Sequence, residues 1–337
     1  MKPVRFEYYS TYFRNLFTFS TVTINMSTAL TKMLNIQYPI IMAPMFLVSN
    51  TKMIVAALEN GITGAFPALN YRTENELREA IREIKSKASG LFGVNLIVNK
   101  SNIKLNYQLR VCVEEEVGFV ITSLGSPKEV IEKCKAKGIF VFCDVVDVKY
   151  AKKVESLGAD GIIAVDSSAG GHCGPTTKEE LIPLLKKECN IPVISAGGVT
   201  SKKDVDHAIQ LGAAGVSVGT LFIATKESDV SQDYKNAIVE YGAKDVILTK
   251  QLSGSPITVI NTPYMQSIDK DGGFLTWLMK ALPFLKKYIK MLIMYKGMKS
   301  VEQAALKPTY KTVWCAGPAI EHVNSVLSVK EVVSRLV

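Results

Sequence analysis

The chain has 337 residues, of which 47% are hydrophobic and 21% charged, and its net charge at neutral pH is +9. This length allows one large domain or two ordinary ones, and the composition excludes a chain that is disordered throughout. The basic excess is carried by residues 1–34 and 274–311 and not by the body of the chain, which argues against a nucleic-acid-binding face.

The first 25 residues are aromatic, rich in Ser and Thr, and lightly basic. They lack the apolar core of a signal peptide, so residues 1–25 are interpreted as an N-terminal extension whose place in the mature protein stays open. No apolar run reaches the roughly 18 residues of a membrane helix. The six cysteines show no CxxC pair and no metal-ligand spacing. These features predict a soluble, cytoplasmic protein with reduced thiols and no metal site.

From residue 39 onward, short apolar runs rich in β-branched residues alternate with segments of helical period, one of which opens with a capping box at Thr73 and Glu76. Eight runs are predicted to be strands: 39–45, 62–67, 91–98, 119–125, 139–145, 161–166, 192–198 and 215–220. Near-continuous apolar strands are typical of a parallel sheet covered on both faces. Eight βα units that close on themselves give a (β/α)8 TIM barrel, with an open doubly wound sheet as the alternative.

After residue 225 the βα alternation stops. Residues 226–311 are predicted to form a helical insertion or lid, in which the lysine-rich stretch 274–311 presents a basic outer face. Residues 312–337 are expected to return to the barrel and to end in a closing helix that carries His322. The predicted organisation is therefore one barrel, over 26–225 and 312–337, interrupted by the insertion.

In such barrels the active site lies at the carboxyl ends of the strands, and phosphate is commonly held by the loops after strands seven and eight. Here those strands end in Gly197-Gly198 and Gly219-Thr220, which offer unshielded backbone N–H groups and one hydroxyl. A third turn of small residues follows strand six and leads into His172, a side chain that accepts a proton near neutral pH. The sequence therefore predicts a phosphate-bearing ligand beside a histidine.

The segments IIMAPM, LFGVNL, SSAGGHCG, PVISAGGV and VSVGTLFIATKES, in this order, resemble the nitronate monooxygenase family and, less specifically, the related flavin-dependent enoyl-acyl-carrier-protein reductase II. The resemblance implies FMN bound without a covalent bond at the barrel mouth. By the same resemblance, the residues that bind FMN are Ala43, Pro44, Met45, Asn95, Ala169, Gly170, Gly171, Gly197, Gly198, Gly219 and Thr220. The first three would lie against the flavin ring, and the last four would hold its phosphate.

His172 occupies the place of the family's active-site histidine, whereas His207 and His322 are expected to be structural. The implied activity is oxidation of alkyl nitronates by O₂, with His172 as the base that takes the acidic C–H proton beside the nitro group. One alternative is an NAD(P)H-dependent enoyl-thioester reductase, in which the basic stretch 274–311 docks an acidic carrier protein. Another is a phosphate-binding barrel without redox chemistry. The substrate is a small molecule in each case, and the oligomeric state stays open.

The sequence also departs from the family pattern QGxEAGGH, because residues 165–172 read VDSSAGGH. Val165 replaces the glutamine, Ser168 replaces the glutamate, and Ser217 stands where strand eight usually carries a glutamine. We therefore expect the flavin pocket to be kept while its tuning and its preferred substrate differ. Asp144 and Asp166, at strand ends, either orient a ligand or cap the helices that follow.

Overall fold

A computed structural model describes residues 27–100, 102–250, 256–266 and 313–337. Eight parallel strands close into a barrel: β1 (Ile40–Met42), β2 (Thr63–Pro67), β3 (Gly93–Ile97), β4 (Phe119–Ser123), β5 (Phe140–Val145), β6 (Gly161–Val165), β8 (Val193–Ala196) and β9 (Gly215–Val218). The barrel closes where β1 pairs with β9, with Ile41 beside Ser217. The predicted TIM barrel is confirmed, and the doubly wound alternative is wrong because an open sheet has no such pairing.

Helices surround this barrel. They are α1 (Ala29–Leu34), α2 (Thr51–Glu59), α3 (Glu74–Lys87), α4 (Leu105–Glu114), α5 (Lys128–Lys135), α6 (Val148–Ser156), α7 (Lys178–Glu188), α8 (Lys202–Gln210), α9 (Thr220–Ile223), α10 (Gln232–Glu240) and α11 (Val329–Leu336). The capping box predicted for α3 is present, since Thr73 Oγ1 accepts from the N–H of Glu76 and the Glu76 carboxylate accepts from the N–H of Thr73, both at 3.2 Å. No helix in the described ranges has both the length and the apolar character needed to cross a bilayer.

The interior of the barrel is filled by side chains from alternate strand positions. Ile121, Phe142 and Ile194 belong to this inner core, and the ring of Phe119 packs edge-on against that of Phe142 at 5.4 Å. Leu30 and Leu34 of α1 are fully buried in the same cluster. Leu30 packs against the first residue of β9, which shows that α1 closes the end of the barrel where the strands begin. The opposite end, where the strands finish, is left for ligands.

The described part of the insertion is not only helical. Besides α10 it contains β10 (Val246–Thr249) and β11 (Ile257–Ile260), which pair antiparallel. The other edge of β11 pairs with β7 (Gly171–His172), a two-residue strand in the loop after β6. The insertion therefore pairs, through β11, with the loop that carries His172. The periodicity of the sequence did not predict this pairing.

The C-terminal segment returns to the barrel as predicted. Cys315 forms an isolated antiparallel β-bridge with Val259, through backbone hydrogen bonding, and α11 packs against α2 and α8. His322 is not on this closing helix: it ends a 3₁₀ turn, Pro318–His322, because Ser328 caps α11 and so sets its first residue at Val329. The extension 1–25 and the lysine-rich stretch 274–311 lie outside the described residues.

Candidate active site

The open end of the barrel has a floor of small and polar side chains. Alternation along the strands puts several small or polar residues on the inward side, above the inner core, among them Ala43, Asn95, Ser123, Asp144, Val165, Ala196 and Ser217. None of these is aromatic or longer than Asn or Asp. Val165 and Ser217, two of the departures from the family pattern, are part of this surface.

The three turns of small residues lie on one rim. Ala169–Gly171, Gly197–Gly198 and Gly219–Thr220 follow β6, β8 and β9, which are consecutive strands of the barrel. Sequence reasoning missed a fourth member of this rim, Gly317, which donates its N–H to Thr220 Oγ1 at 3.0 Å. A Cβ added to Gly170 would lie 2.8 Å from the Gly317 nitrogen. The C-terminal segment thus packs directly against the three turns. In the sequence, only the small-residue run CAGP at 315–318 indicates this contact.

Gly197 sits in a backbone conformation with φ +137°, and a Cβ there would lie 2.0 Å from Asp166 Oδ1. That oxygen accepts the N–H of Ser168 at 2.6 Å, whereas Asp166 Oδ2 is buried and has no hydrogen-bond partner in the described structure. Burial raises the pKa of the Asp166 carboxyl to about 6. Asp166 therefore shapes the loop that it begins, and its free oxygen lies against the Gly197 turn.

Beneath the same turn lies a lysine that sequence reasoning did not single out. Lys178, the first residue of α7, is buried, and its Nζ donates to the carbonyl oxygens of Gly197 at 2.8 Å and Gly198 at 3.1 Å. A buried ammonium group is stable only when its donors are satisfied in this way. Lys178 fixes the turn after β8 and brings a positive charge to the side of the rim where phosphate is expected.

The segment after β1 lies beside the turn after β9. A Cβ at Gly219 would be 3.5 Å from Met45 Sδ and 3.6 Å from Ala43 Cβ. Ser49 holds the segment in place, because its Oγ donates to the Ala43 carbonyl at 3.0 Å and accepts the Met45 N–H at 2.9 Å. Pro44 lies between these two anchored residues. The structure thus brings Ala43 and Met45 next to Gly219, one of the residues named for the phosphate.

Across the mouth, three floor residues form a hydrogen-bonded line. Asn95 Nδ2 donates to Ser123 Oγ at 2.8 Å and to the Ile121 carbonyl at 3.2 Å, and Ser123 Oγ donates to Asp144 Oδ2 at 2.5 Å. Burial raises the pKa of the Asp144 carboxyl to about 6, because desolvation outweighs the hydrogen bond from Ser123. The mouth thus has a phosphate-binding candidate on the β8–β9 side and a polar line on the β3–β5 side.

His172 lies on β7, beside Ile257 of the insertion. Thr258, the next residue of β11, donates its hydroxyl to the carbonyls of Ala169 at 3.0 Å and Gly171 at 3.3 Å, which ties down the loop on both sides of Gly170. The His172 side chain is exposed to solvent on one side. The surrounding protein nevertheless partly desolvates the imidazole, which disfavours its charged form and lowers its pKa. A neutral imidazole is therefore held at the rim, next to the three turns, where it is able to accept a proton.

The other two histidines show no such arrangement. His207 is an exposed residue of α8, with its Nε2 3.4 Å from Glu179 Oε1, and His322 is exposed at the end of its 3₁₀ turn. Of the described histidines, only His172 is on a loop that follows a barrel strand at its carboxyl end.

Comparisons with known proteins agree with this geometry. A family model described as nitronate monooxygenase matches residues 27–337. A (3aS,4S,5R,7aS)-5-hydroxy-7a-methyl-1-oxo-octahydro-1H-indene-4-carboxyl-CoA dehydrogenase from Rhodococcus jostii (strain RHA1) is 31% identical over 245 residues, which cover 73% of this chain and 69% of that protein. A probable nitronate monooxygenase from Staphylococcus aureus (strain JH9) is 27% identical over 288 residues, with 72% of this chain and 81% of that protein covered.

Two solved structures share the architecture. FabK from Thermotoga maritima superposes with a TM-score of 0.81 at 29% identity, covering 92% of this chain and 94% of that chain. Nitroalkane oxidase from Streptomyces ansochromogenes superposes with a TM-score of 0.76 at 21% identity, covering 92% of this chain and 96% of that chain. At that lower identity the likeness shows the fold alone.

Proposed function

The chain belongs to the nitronate monooxygenase family and is a flavin-dependent oxidoreductase, and from this premise we propose that it oxidises alkyl nitronates with O₂, using FMN and His172 as the base. Family membership removes the barrel without redox chemistry from the alternatives. The observation that carries the proposal is the position of His172, held by β11 at the rim that the three small-residue turns share.

The residues at the mouth fit FMN. Its phosphate would be held by the turns Gly197–Gly198 and Gly219–Thr220, where Lys178 contributes a buried positive charge and Thr220 a hydroxyl. Its ring would lie over the floor, between the strand-one segment and Asn95. When bound, the flavin supplies the electron transfer, and the protein supplies binding, orientation and charge.

His172 performs the proton chemistry in this proposal. Because desolvation by the surrounding protein lowers the pKa of its imidazole, the ring is neutral at neutral pH and free to accept the proton from the carbon beside a nitro group. Once protonated, the same ring stabilises the anionic nitronate. General-base catalysis of this kind contributes about 10²–10⁴ in rate. The pairing of β7 with β11 and the hydrogen bonds from Thr258 hold the backbone of the loop that carries the imidazole.

The test is the visible spectrum of the purified protein after FMN is added, followed by O₂ consumption measured with an alkyl nitronate and, separately, with the neutral nitroalkane, which alone needs a base. We expect a yellow protein whose turnover with neutral nitroalkane falls at least about 100-fold in His172→Gln. His207→Gln is the matched control, because that histidine is exposed on α8, and it should behave as wild type. A colourless protein, or equal losses in the two variants, would refute the proposal.

A second candidate substrate is an acyl thioester, and the observation that favours it is the 31% identity to a dehydrogenase of a carboxyl-CoA compound. In this candidate His172 would exchange a proton with a carbon beside the thioester carbonyl, and NAD(P)H would reduce the flavin when the substrate is an enoyl thioester. Anaerobic addition of NADPH separates the two functions. Rapid bleaching of the flavin, reversed by an enoyl-CoA, supports the thioester; bleaching by nitronate alone supports the first proposal.

A further inference from the structure

The polar line on the floor of the mouth ends in a carboxyl group that the proton chemistry of His172 does not use. Asp144 is the third inward residue of β5, after Phe140 and Phe142, and it shares its face of the strand with the inner core. Its one described hydrogen bond comes from Ser123, which Asn95 in turn contacts. Among the described residues, no Lys, Arg or His lies within ion-pair distance of Asp144. A carboxyl group in this position is expensive to ionise.

The surroundings of Asp144 contain no group that would neutralise its charge. The titratable side chains that sense it are Cys143, on the same strand, and Tyr150, on α6. Burial raises the pKa of the Cys143 thiol to about 12 and also raises that of the Tyr150 phenol, so both stay neutral at ordinary pH. The adjoining strands contribute Ser123 of β4 and Ile163 of β6, neither of which titrates. The charge on Asp144 therefore acts unopposed by its described neighbours.

We propose that Asp144 sets the reduction potential of the flavin, by placing a negative charge on the floor of the mouth, where the flavin ring would lie. The proposal rests on the proposed function, because it requires FMN in the mouth. A negative charge in a low-dielectric site disfavours the addition of electrons nearby, so the ionised carboxylate lowers the potential. Protonation removes that effect. The hydrogen bond from Ser123 favours the ionised form and thereby sets the pH at which the change occurs.

This role differs from that of His172, which exchanges protons with substrate. Asp144 does not exchange protons with substrate and affects the reaction only through the electrostatic potential that it creates at the flavin. Because burial raises its pKa to about 6, the carboxylate is mostly ionised at neutral pH and mostly protonated below pH 6. The potential of the wild-type protein should therefore be depressed at neutral pH, and this depression should disappear in more acidic solution.

The experiment compares the FMN-loaded wild type with Asp144→Asn, which removes the charge and preserves the shape. The flavin potential is measured against a reference dye across pH, and the affinity of the flavin for sulfite, an anion, is measured by absorbance. Above pH 6 we expect a higher potential and roughly tenfold tighter sulfite binding in the variant. Well below pH 6 the two proteins should become equal.

Two further variants make the outcome decisive. Asp160→Asn removes a carboxyl group just before β6, at the end of the barrel where the strands begin, where Asp160 accepts the Val141 N–H at 2.8 Å. This control should have the wild-type flavin potential and sulfite affinity. Ser123→Ala keeps the carboxyl but removes its hydrogen bond, so the pH at which the potential changes should move upward.

The proposal is overturned if flavin is bound while Asp144→Asn has the wild-type potential and sulfite affinity at every pH, or if the Asp160 control shifts them equally. Should Asp144→Asn not fold, an unmoved pH transition in Ser123→Ala overturns it as well. Failure of the proposed function looks different, because then wild type itself binds no FMN.

Discussion

Replacement of Gly197 by Ala tests the tightest contact of the candidate site. The backbone at Gly197 has φ +137°, a region that only glycine enters without strain, and the new Cβ would lie 2.0 Å from Asp166 Oδ1. The conformational cost is about 1–3 kcal/mol. Relief of the overlap forces the carboxyl away and breaks its 2.6 Å bond from the Ser168 N–H, at a further cost of about 1–3 kcal/mol.

These two terms sum to roughly 2–6 kcal/mol, out of the about 5–15 kcal/mol by which a folded domain is stable. Urea unfolding followed by circular dichroism measures the loss, and FMN fluorescence quenching measures the accompanying loss of cofactor affinity. Gly138→Ala is the matched control, since Gly138 also has positive φ, +68°, but a Cβ there meets nothing within 4 Å. It should cost only about 1–2 kcal/mol and leave FMN binding unchanged.

A double-mutant cycle with Asp166→Ala separates the two terms. Because Asp166→Ala already gives up the bond to Ser168, adding Gly197→Ala should cost only the backbone strain, and the double variant should be more stable than additivity requires by about 1–3 kcal/mol. Strict additivity, or a Gly197→Ala protein as stable as the Gly138→Ala control, would refute the contact between the turn and the carboxyl group.

Three further perturbations follow from the structure. Thr258→Val removes the hydroxyl that holds the carbonyls of Ala169 and Gly171, so we expect FMN affinity by fluorescence titration to fall about tenfold; an unchanged affinity would contradict the clamp. Glu115→Gln should lower the free energy of unfolding by about 1–2 kcal/mol at neutral pH. Because its ion pairs lower the pKa of Glu115, this difference should vanish as pH falls below 4.5, as urea titrations at several pH values would show. Finally, the acid limb of kcat/KM in the pH profile should lie below 6.5, where a lowered His172 pKa places it, and a limb above 6.5 would refute this assignment.

The sequence was sufficient to predict the barrel because the strands are near-continuous apolar runs and several of the helices between them have clear start and stop signals. All eight predicted strands are present, although β1, predicted as 39–45, is confined to Ile40–Met42. Those signals are local, since they depend on the chain within a few residues of each position. The carboxyl ends of the strands, and hence the rim, follow from topology once the barrel is known.

The contacts that complete the rim are long-range, and local patterns carry no trace of them. The pairing of His172 with Ile257 joins a two-residue strand, too short for any periodicity, to a segment 85 positions further on. The contact of Gly317 with Thr220 is 97 positions apart. Lys178 reads as an ordinary first-turn lysine of α7, and only the fold shows that its ammonium lies under the Gly197 turn. Such contacts depend on how the loops return, which composition and spacing leave undetermined.

If the mouth holds FMN as proposed, its arrangement also explains how the family pattern is able to change here while the cofactor site is kept. The residues proposed to hold phosphate directly follow β8 and β9, where backbone groups together with Lys178 would do most of that work. The departures at Val165 and Ser217 are on the floor, where side chains rather than backbone would face the ring. Substitution on the floor therefore alters the electrostatics and the shape of the pocket while the phosphate side is unaffected. Because the departures at Val165 and Ser217 lie on the same floor as Asp144, the flavin potential, more than the affinity for FMN, should distinguish this chain from relatives that keep the usual pattern.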